Sequence, residues 1–425
     1  MADILIKNVN HYLLGKKDIL ISQGKIKDIA NEIHAFEAEV IDAQNLIAIP
    51  GLIDMQVHLR EPGQSEKETI ESGTKAAARG GFTTVACMPN TNPTLDSEDV
   101  LCTLEKKVEE VGQCKVLIIP AMTKKIAGDE LTDYEMYKRK GYIGVTDDGR
   151  GVQSDSVMLE VFKSAAKNNL VCFQHCENES ISKGAPVHLG VASEKLGVSG
   201  QKGMAESDMV RRDIELLEKT GGRYHVLHMS SHESLNFVRS AKEKNLNVTC
   251  EVTPHHLLLC DEDVKKEDAN FKMNPPLRSS LDKRELNKAF ISGEIDFITT
   301  DHAPHTPAQK ALGIQEAPFG IVGLETAFPL LYTHYVESNK MNLERLVETM
   351  SLRPKKLFGI ENGDGTVGSN ADLCLFDKDS VKIVDENKFF SKSKNSPFIG
   401  EALKGWPVLT ICEGEITYKD ESYDF

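Results

Sequence analysis

The residues of this chain that could do chemistry fall at intervals, each at or just beyond the end of a short apolar run. In Asp54-Met55-Gln56-Val57-His58-Leu59-Arg60 a strand would turn Asp54, Gln56, His58 and Arg60 to one face, so the segment reads as a ligand-bearing strand with a cation just beyond it. Asn90, the pair Asp147-Asp148, His175, His228 and Asp301 stand at the ends of other apolar runs. One histidine at a strand end is usually a packed or hydrogen-bonded side chain; five ends that carry His or Asp together point to a shared site. Imidazole and carboxylate donors without cysteine suit Zn2+ or a similar divalent ion, and a catalytic ion keeps a coordination position for water. Such an ion lowers the pKa of bound water from about 15.7 toward about 7, which permits hydrolysis of a polarised carbonyl. Asp301, at the last end, is placed to take the proton of the attacking water and return it to a leaving nitrogen. Its other reading is a turn residue, because Asp301-His302-Ala303-Pro304-His305 has turn character.

The elements that must position these side chains alternate. Apolar runs at 52–58, 82–88, 115–120, 142–146, 170–174, 224–228, 247–252 and 296–300 are separated by helix-period segments such as 67–79, 154–167, 205–219 and 232–244, the pattern of repeated βα units and a parallel sheet. Eight runs predict an α/β chain built as a closed (β/α)8 TIM-type barrel, whose chemistry belongs where strands end in βα loops. An open doubly wound sheet is the competing architecture, but no Gly-x-Gly-x-x-Gly follows any of the runs. The flanks differ: 3–8, 18–21, 25–29 and 40–41, then 371–376, 381–384 and 409–418, alternate apolar with polar residues. Both termini are therefore expected to pair into one small β-domain, 1–50 plus 362–425, beside a barrel of 51–361. The stretch 184–203 reads as a long βα loop, and 311–323, with Gly313 and Gly320, as a segment that could close over a substrate.

Composition narrows the function classes. With 50 Lys and Arg against 65 Asp and Glu, a net charge of −15 and no basic run interleaved with aromatics, nucleic acid is not an expected partner. No apolar run approaches the roughly 18 residues of a membrane span, and Met1-Ala2-Asp3-Ile4-Leu5-Ile6-Lys7 lacks the pattern of a leader. A cytoplasmic location is expected. Nine cysteines with no Cys-x-x-Cys, several inside apolar runs, read as buried reduced thiols.

Five segments carry a resemblance: Pro50-Gly51-Leu52-Ile53-Asp54-Met55-Gln56-Val57-His58-Leu59-Arg60-Glu61-Pro62-Gly63, Met88-Pro89-Asn90-Thr91, Thr146-Asp147-Asp148-Gly149, Lys272-Met273-Asn274-Pro275-Pro276-Leu277-Arg278 and Asp301-His302-Ala303-Pro304-His305. In that order they resemble the dihydroorotases of the amidohydrolase superfamily. The resemblance implies a zinc-dependent barrel enzyme that closes N-carbamoyl-L-aspartate reversibly to L-dihydroorotate in de novo UMP synthesis, by metal-activated hydroxide and an Asp acid/base. It implies His58, Asp148, His175, His228 and Asp301 as metal ligands, although spacing alone does not choose between Asp147 and Asp148. It assigns substrate binding to Arg60, Asn90, Asn274, His305 and the Phe319-Gly320 backbone; a guanidinium in that place suits a substrate carboxylate. The expected partner is a small molecule, with a homodimer or aspartate transcarbamoylase as protein partners. Thr146-Asp147-Asp148 stands where hydantoinases and allantoinases mostly place a carbamylated lysine, which turns the resemblance away from those cyclic amidases. A catalytically silent subunit that supports aspartate transcarbamoylase is the other alternative.

The chain departs from the family at Gln56, where an imidazole would complete His-x-His. A neutral amide oxygen is a poorer zinc ligand than imidazole nitrogen, so the site of Gln56, His58, Asp148 and Asp301 should be weakened, while Asp148, His175 and His228 keep a full set for one firmly bound Zn2+. His255-His256 reads as packing or loop hydrogen bonding. His225, three residues before His228, should point to the opposite face of its strand.

Overall fold

The computed structural model describes residues 2–264, 268–423 and 425. Among these residues, eight short strands run parallel: β1 (Leu52–Val57), β2 (Phe82–Cys87), β3 (Lys115–Ile118), β4 (Gly144–Thr146), β5 (Val171–Gln174), β6 (Arg223–Val226), β7 (Val248–Val252) and β8 (Phe297–Ile298). β1 to β3 form one arc and β4 to β8 another. Backbone bonds just past the strand ends join the arcs into a barrel. Thr146 N donates to Pro120 O (2.9 Å) and His58 N to His302 O (2.8 Å). The fold is a TIM barrel with a β-domain.

The strands are nearly continuous apolar runs because both faces are covered. Outside lie helices such as Ile70–Arg79, Asp155–Asn168, Met204–Thr220, His232–Glu243 and Ser280–Ser292. Thr69, Ser154, Ser231 and Ser279 start four of the helices by accepting a first-turn backbone N–H. Inside, Ile53, Met55, Ala86, Met88, Phe173, Leu227 and Phe297 pack with Phe358 and Ile360. His225 stacks on Phe297 with ring centroids 4.9 Å apart, so it too lies in the barrel interior. This differs from the alternation expected between His225 and His228. β6 ends at Val226, and beyond it the backbone turns, with His228 at φ 30°, so period-two counting no longer applies.

A similar interruption affects β1. Its pairing to β2 slips between Asp54 and Val57, a bulge that breaks strict alternation. Met55 packs in the interior cluster, yet Asp54 on one side of it accepts from Thr299 Oγ1 (2.6 Å) and Thr300 N (3.2 Å), and Gln56 on the other reaches Asp148.

The termini build a second sheet. Ile4–His11, Gly15–Ser22, Lys25–Ala30, Glu39–Asp42 and Ile47–Pro50 join Leu373–Asp377, Trp406–Cys412 and Glu415–Lys419. The two groups meet where Ile47–Pro50 pairs antiparallel with Leu373–Asp377, one residue before β1 begins. The expected strand at 381–384 is not part of this sheet. Lys382–Ile383 pairs with Ala402–Leu403 as a separate ribbon, and a two-residue strand is too short for alternation to tell which sheet it joins. The 184–203 loop also has structure: Val187–His188 pairs with Gly200–Gln201 around the helix Val191–Leu196. No described helix is long and apolar enough to cross a membrane.

The barrel and the sheet are stapled at Asp372, whose buried carboxylate accepts from Lys115 Nζ (2.7 Å) on β3, Gly363 N (2.7 Å) and Glu413 N (2.9 Å). Removing one member of such a pair leaves the other without its counter-charge. Asp372→Ala should therefore cost on the order of 3 kcal/mol, seen as a lower urea midpoint; an unchanged midpoint would show that the staple adds nothing.

Candidate metal centre

Three strand ends converge at the mouth of the barrel. Asp148 stands two residues past β4, His175 one past β5 and His228 two past β6. His175 Nδ1 and His228 Nε2 are 2.9 Å apart, with ring planes at 82°. Asp148 Oδ1 lies 3.7 Å from the first and 3.6 Å from the second. One ligand atom from each residue falls within 4.8 Å of the others, and all three residues are buried. Two imidazole nitrogens and one carboxylate oxygen at this spacing fit a divalent ion with a position left open. Burial opposes charge on both Asp148 and His175. Even so, His175 and His228 hold the Asp148 carboxyl well below its usual range, and Asp148 with Glu177 raises His175 to about 10. An ion entering here displaces a proton from His175.

The structure also separates the two adjacent aspartates. Asp147 turns away from the cluster and accepts from Met122 N (2.8 Å) and Thr123 N (3.0 Å) and from the Thr123 hydroxyl. Burial raises its carboxyl to about 6. Asp148 alone faces the cavity.

Gln56 does not leave a gap. Its Nε2 donates to Asp148 Oδ1 at 3.0 Å, and its buried Oε1 has no hydrogen-bond partner among the described residues. His58 Nε2 stands between Asp148 Oδ2 (3.3 Å) and Asp301 Oδ1 (3.1 Å), while its Nδ1 meets Asn90 Oδ1 at 2.8 Å. Asp301 sits at φ 49°, a left-handed conformation tolerated by aspartate better than by most residues.

These groups open into a cavity of about 280 Å³ that Arg60, Asn90, Asn274, His305, Phe319 and Gly320 also line. Arg60 is buried and makes no ion pair among the described residues; its Nε donates to Pro304 O (3.1 Å) and its Nη2 lies 3.2 Å from His305 Nε2. Burial lowers it to about 10, opposed by Asp301 and Asp148, so it stays a cation at neutral pH. Burial and the Arg60 charge push His305 down to about 2, and the neutral ring lies 2.7 Å from Phe319 O. Gly320 has φ 129°, and a Cβ there would come 2.6 Å from Ala303 Cβ. Lys310, whose burial lowers it to about 7, donates to the carbonyls of Lys272 (3.2 Å), Pro318 (3.1 Å) and Gly320 (2.8 Å). It thus ties the 311–323 segment to the segment that carries Asn274.

His58, Arg60, Asn90, Asp148, His175, His228, Asn274, Asp301, His305, Phe319 and Gly320 all line this cavity, and Gln56 stands behind it on Asp148. His255 and His256 do not line it, and His256 bonds Thr253 and the Pro275 carbonyl. Sequence reasoning missed Glu177, Lys310 and Asn395, which anchors His305 N (3.2 Å) and Gly320 O (2.9 Å). For Glu177 a signal existed: an acid two residues after the candidate ligand His175, within reach of that ring.

Residues 45–234 match a family model described as dihydro-orotase-like. The chain is 46% identical over 407 residues to the dihydroorotase of Listeria innocua serovar 6a, covering 96% of each. It is 47% identical over 408 residues to that of Geobacillus kaustophilus, covering 96% of this chain and 95% of the relative. Among solved structures, the L-hydantoinase (dihydropyrimidinase) from Arthrobacter aurescens superposes with a TM-score of 0.88 at 28% identity, covering 99% and 97% of the two chains. The D-hydantoinase from a Thermus species gives 0.84 at 26%, covering 98% and 95%.

Metal-stripped protein titrated with Zn2+ should gain stability, by about 2.7 kcal/mol at a hundredfold excess over the dissociation constant, followed by thermal melting. His228→Ala should show no comparable gain at the same zinc level; an equal gain would place the ion elsewhere.

Proposed function

This chain belongs to the dihydroorotase family, and on that premise we propose that it catalyses the reversible cyclisation of N-carbamoyl-L-aspartate to L-dihydroorotate, the ring-closing step of de novo UMP synthesis, with one Zn2+. The observation that carries the proposal is the Asp148, His175 and His228 cluster facing buried Arg60 across a single cavity of about 280 Å³. Asp148, His175 and His228 would hold the ion; His58 and Asp301 complete the ligand set that the family resemblance implies. Held there, zinc would supply a lowered pKa for water and polarisation of the amide carbonyl.

The remaining chemistry belongs to the side chains. In the hydrolytic direction the water oxygen bonds to the ring amide carbon, Asp301 accepts the water's proton, and the ring nitrogen takes it as the C–N bond breaks. Cyclisation runs the same transfers backwards and releases water. His58 aims Asp301 through the 3.1 Å contact and is itself held by Asn90. Arg60 supplies the cation for the substrate carboxylate, with Asn90, Asn274, His305 and the Phe319-Gly320 backbone around it. Residues 51–361 form the catalytic barrel, and 1–50 with 362–425 form the supporting β-domain. We place the protein in the cytoplasm with a second copy of itself or aspartate transcarbamoylase as its protein partner; size-exclusion chromatography with and without that enzyme distinguishes the two.

Gln56 sets the metal count. It puts an amide where an imidazole would stand beside His58 and Asp301, amides are weak zinc ligands, and its N–H goes to Asp148 Oδ1, the oxygen that also faces His175 and His228. Purified enzyme should contain one zinc per chain by elemental analysis and turn over dihydroorotate; two tightly held ions would sink the single-ion proposal, and a zinc-loaded protein inert towards dihydroorotate would sink the activity. Gln56→His should raise the zinc content toward two. Asp301→Asn should lower kcat by about 10²- to 10⁴-fold with an unchanged circular dichroism spectrum, whereas retained turnover would remove Asp301 from proton transfer.

A further inference from the structure

Glu177 stands outside the residues assigned above, yet three separate segments meet on its carboxylate. Oε2 lies 3.3 Å from His175 Nε2 and accepts from Asn274 Nδ2 at 2.6 Å. Oε1 accepts from Gln201 Nε2 at 3.0 Å, from the short ribbon in the 184–203 loop. The side chain is 13% exposed, and Asn274 Nδ2 also lies 3.2 Å from His175 Nε2.

We propose that Glu177 is a positioning residue that links the metal ligand His175 to the substrate-facing Asn274. His175 presents Nδ1 to the cluster, so its Nε2 must carry the proton when an ion is bound. A carboxylate accepting that proton fixes the tautomer, holds the ring plane and makes the ligating nitrogen more basic. The same carboxylate oxygen takes one hydrogen of the Asn274 amide. With His175 Nε2 protonated, no described residue takes the other amide hydrogen or donates to the amide oxygen, and Asn274 lines the cavity. Rotation of the His175 ring would therefore shift the acceptor on which Asn274 depends, and the metal and substrate halves of the site share a support. Gln201 limits the carboxylate's own rotation from the opposite side. The substrate arm of this inference rests on the dihydroorotase proposal, whereas the metal arm does not.

The test reads the two arms separately. Glu177→Gln should weaken zinc binding about 10- to 100-fold, measured by competition with a chromophoric chelator on protein that melts like the parent. With zinc saturating, the same variant should raise KM for dihydroorotate several-fold while kcat changes less. Asn274→Ala should raise KM without changing zinc affinity. Unaltered zinc affinity in Glu177→Gln overturns the support of His175, and an unaltered KM overturns the link to Asn274. Should Glu177→Gln fail to fold, Glu177→Asp, with its carboxylate one carbon shorter, supplies the same readouts with the same meanings. A zinc-loaded parent without dihydroorotate turnover would defeat the functional proposal and leave the zinc arm standing.

Discussion

One buried anion organises the mouth of the barrel. Asp148 has Gln56, His58, His175 and His228 around it, each delivered by a different strand end or a different position on β1. A carboxylate in that position is costly to bury without compensation, and its neighbours supply an amide N–H and three imidazoles. Eight closed strands make the convergence possible, since only a barrel brings the ends of β1, β4, β5, β6 and β8 to a common centre. Helices, inner core and terminal sheet fix where those ends fall.

Much of this was legible in the chain itself. The longer strands appear as apolar runs because most of their residues are buried on both faces, and the ends of those runs mark the polar side chains that meet in the cavity. The apolar run at 296–300 outlasts β8, which spans only Phe297–Ile298: Thr299 N still reaches Val252 O, but the Thr299 hydroxyl and Thr300 N turn to Asp54. Other features depend on contacts between residues far apart. Asp147 and Asp148 are chemically identical neighbours, and only the backbone amides of Met122 and Thr123, some 25 residues away, decide which of them faces inward. The bulge in β1 and the turn after Val226 defeat period-two counting for the same reason: local pattern describes a regular strand, and functional strand ends are irregular.

Gln56 changes what is held in place without changing its arrangement. Its amide donates one directional hydrogen bond to Asp148 and carries no net charge. His58 then has protein partners on both nitrogens, Asn90 on one side and the Asp148 and Asp301 carboxylates on the other. His58 and Asp301 keep their alignment through hydrogen bonds that need no ion.

The pairing of Ile47–Pro50 with Leu373–Asp377 also has a consequence during synthesis. A ribosome delivers the first of these strands roughly 320 residues before the second, tens of seconds at ordinary elongation rates. Through that interval the nascent chain carries an open sheet edge, a place where other strands can add. The chain's last strands thus act as a seal on its first ones, and a truncated or stalled product would be sticky in a way the finished protein is not.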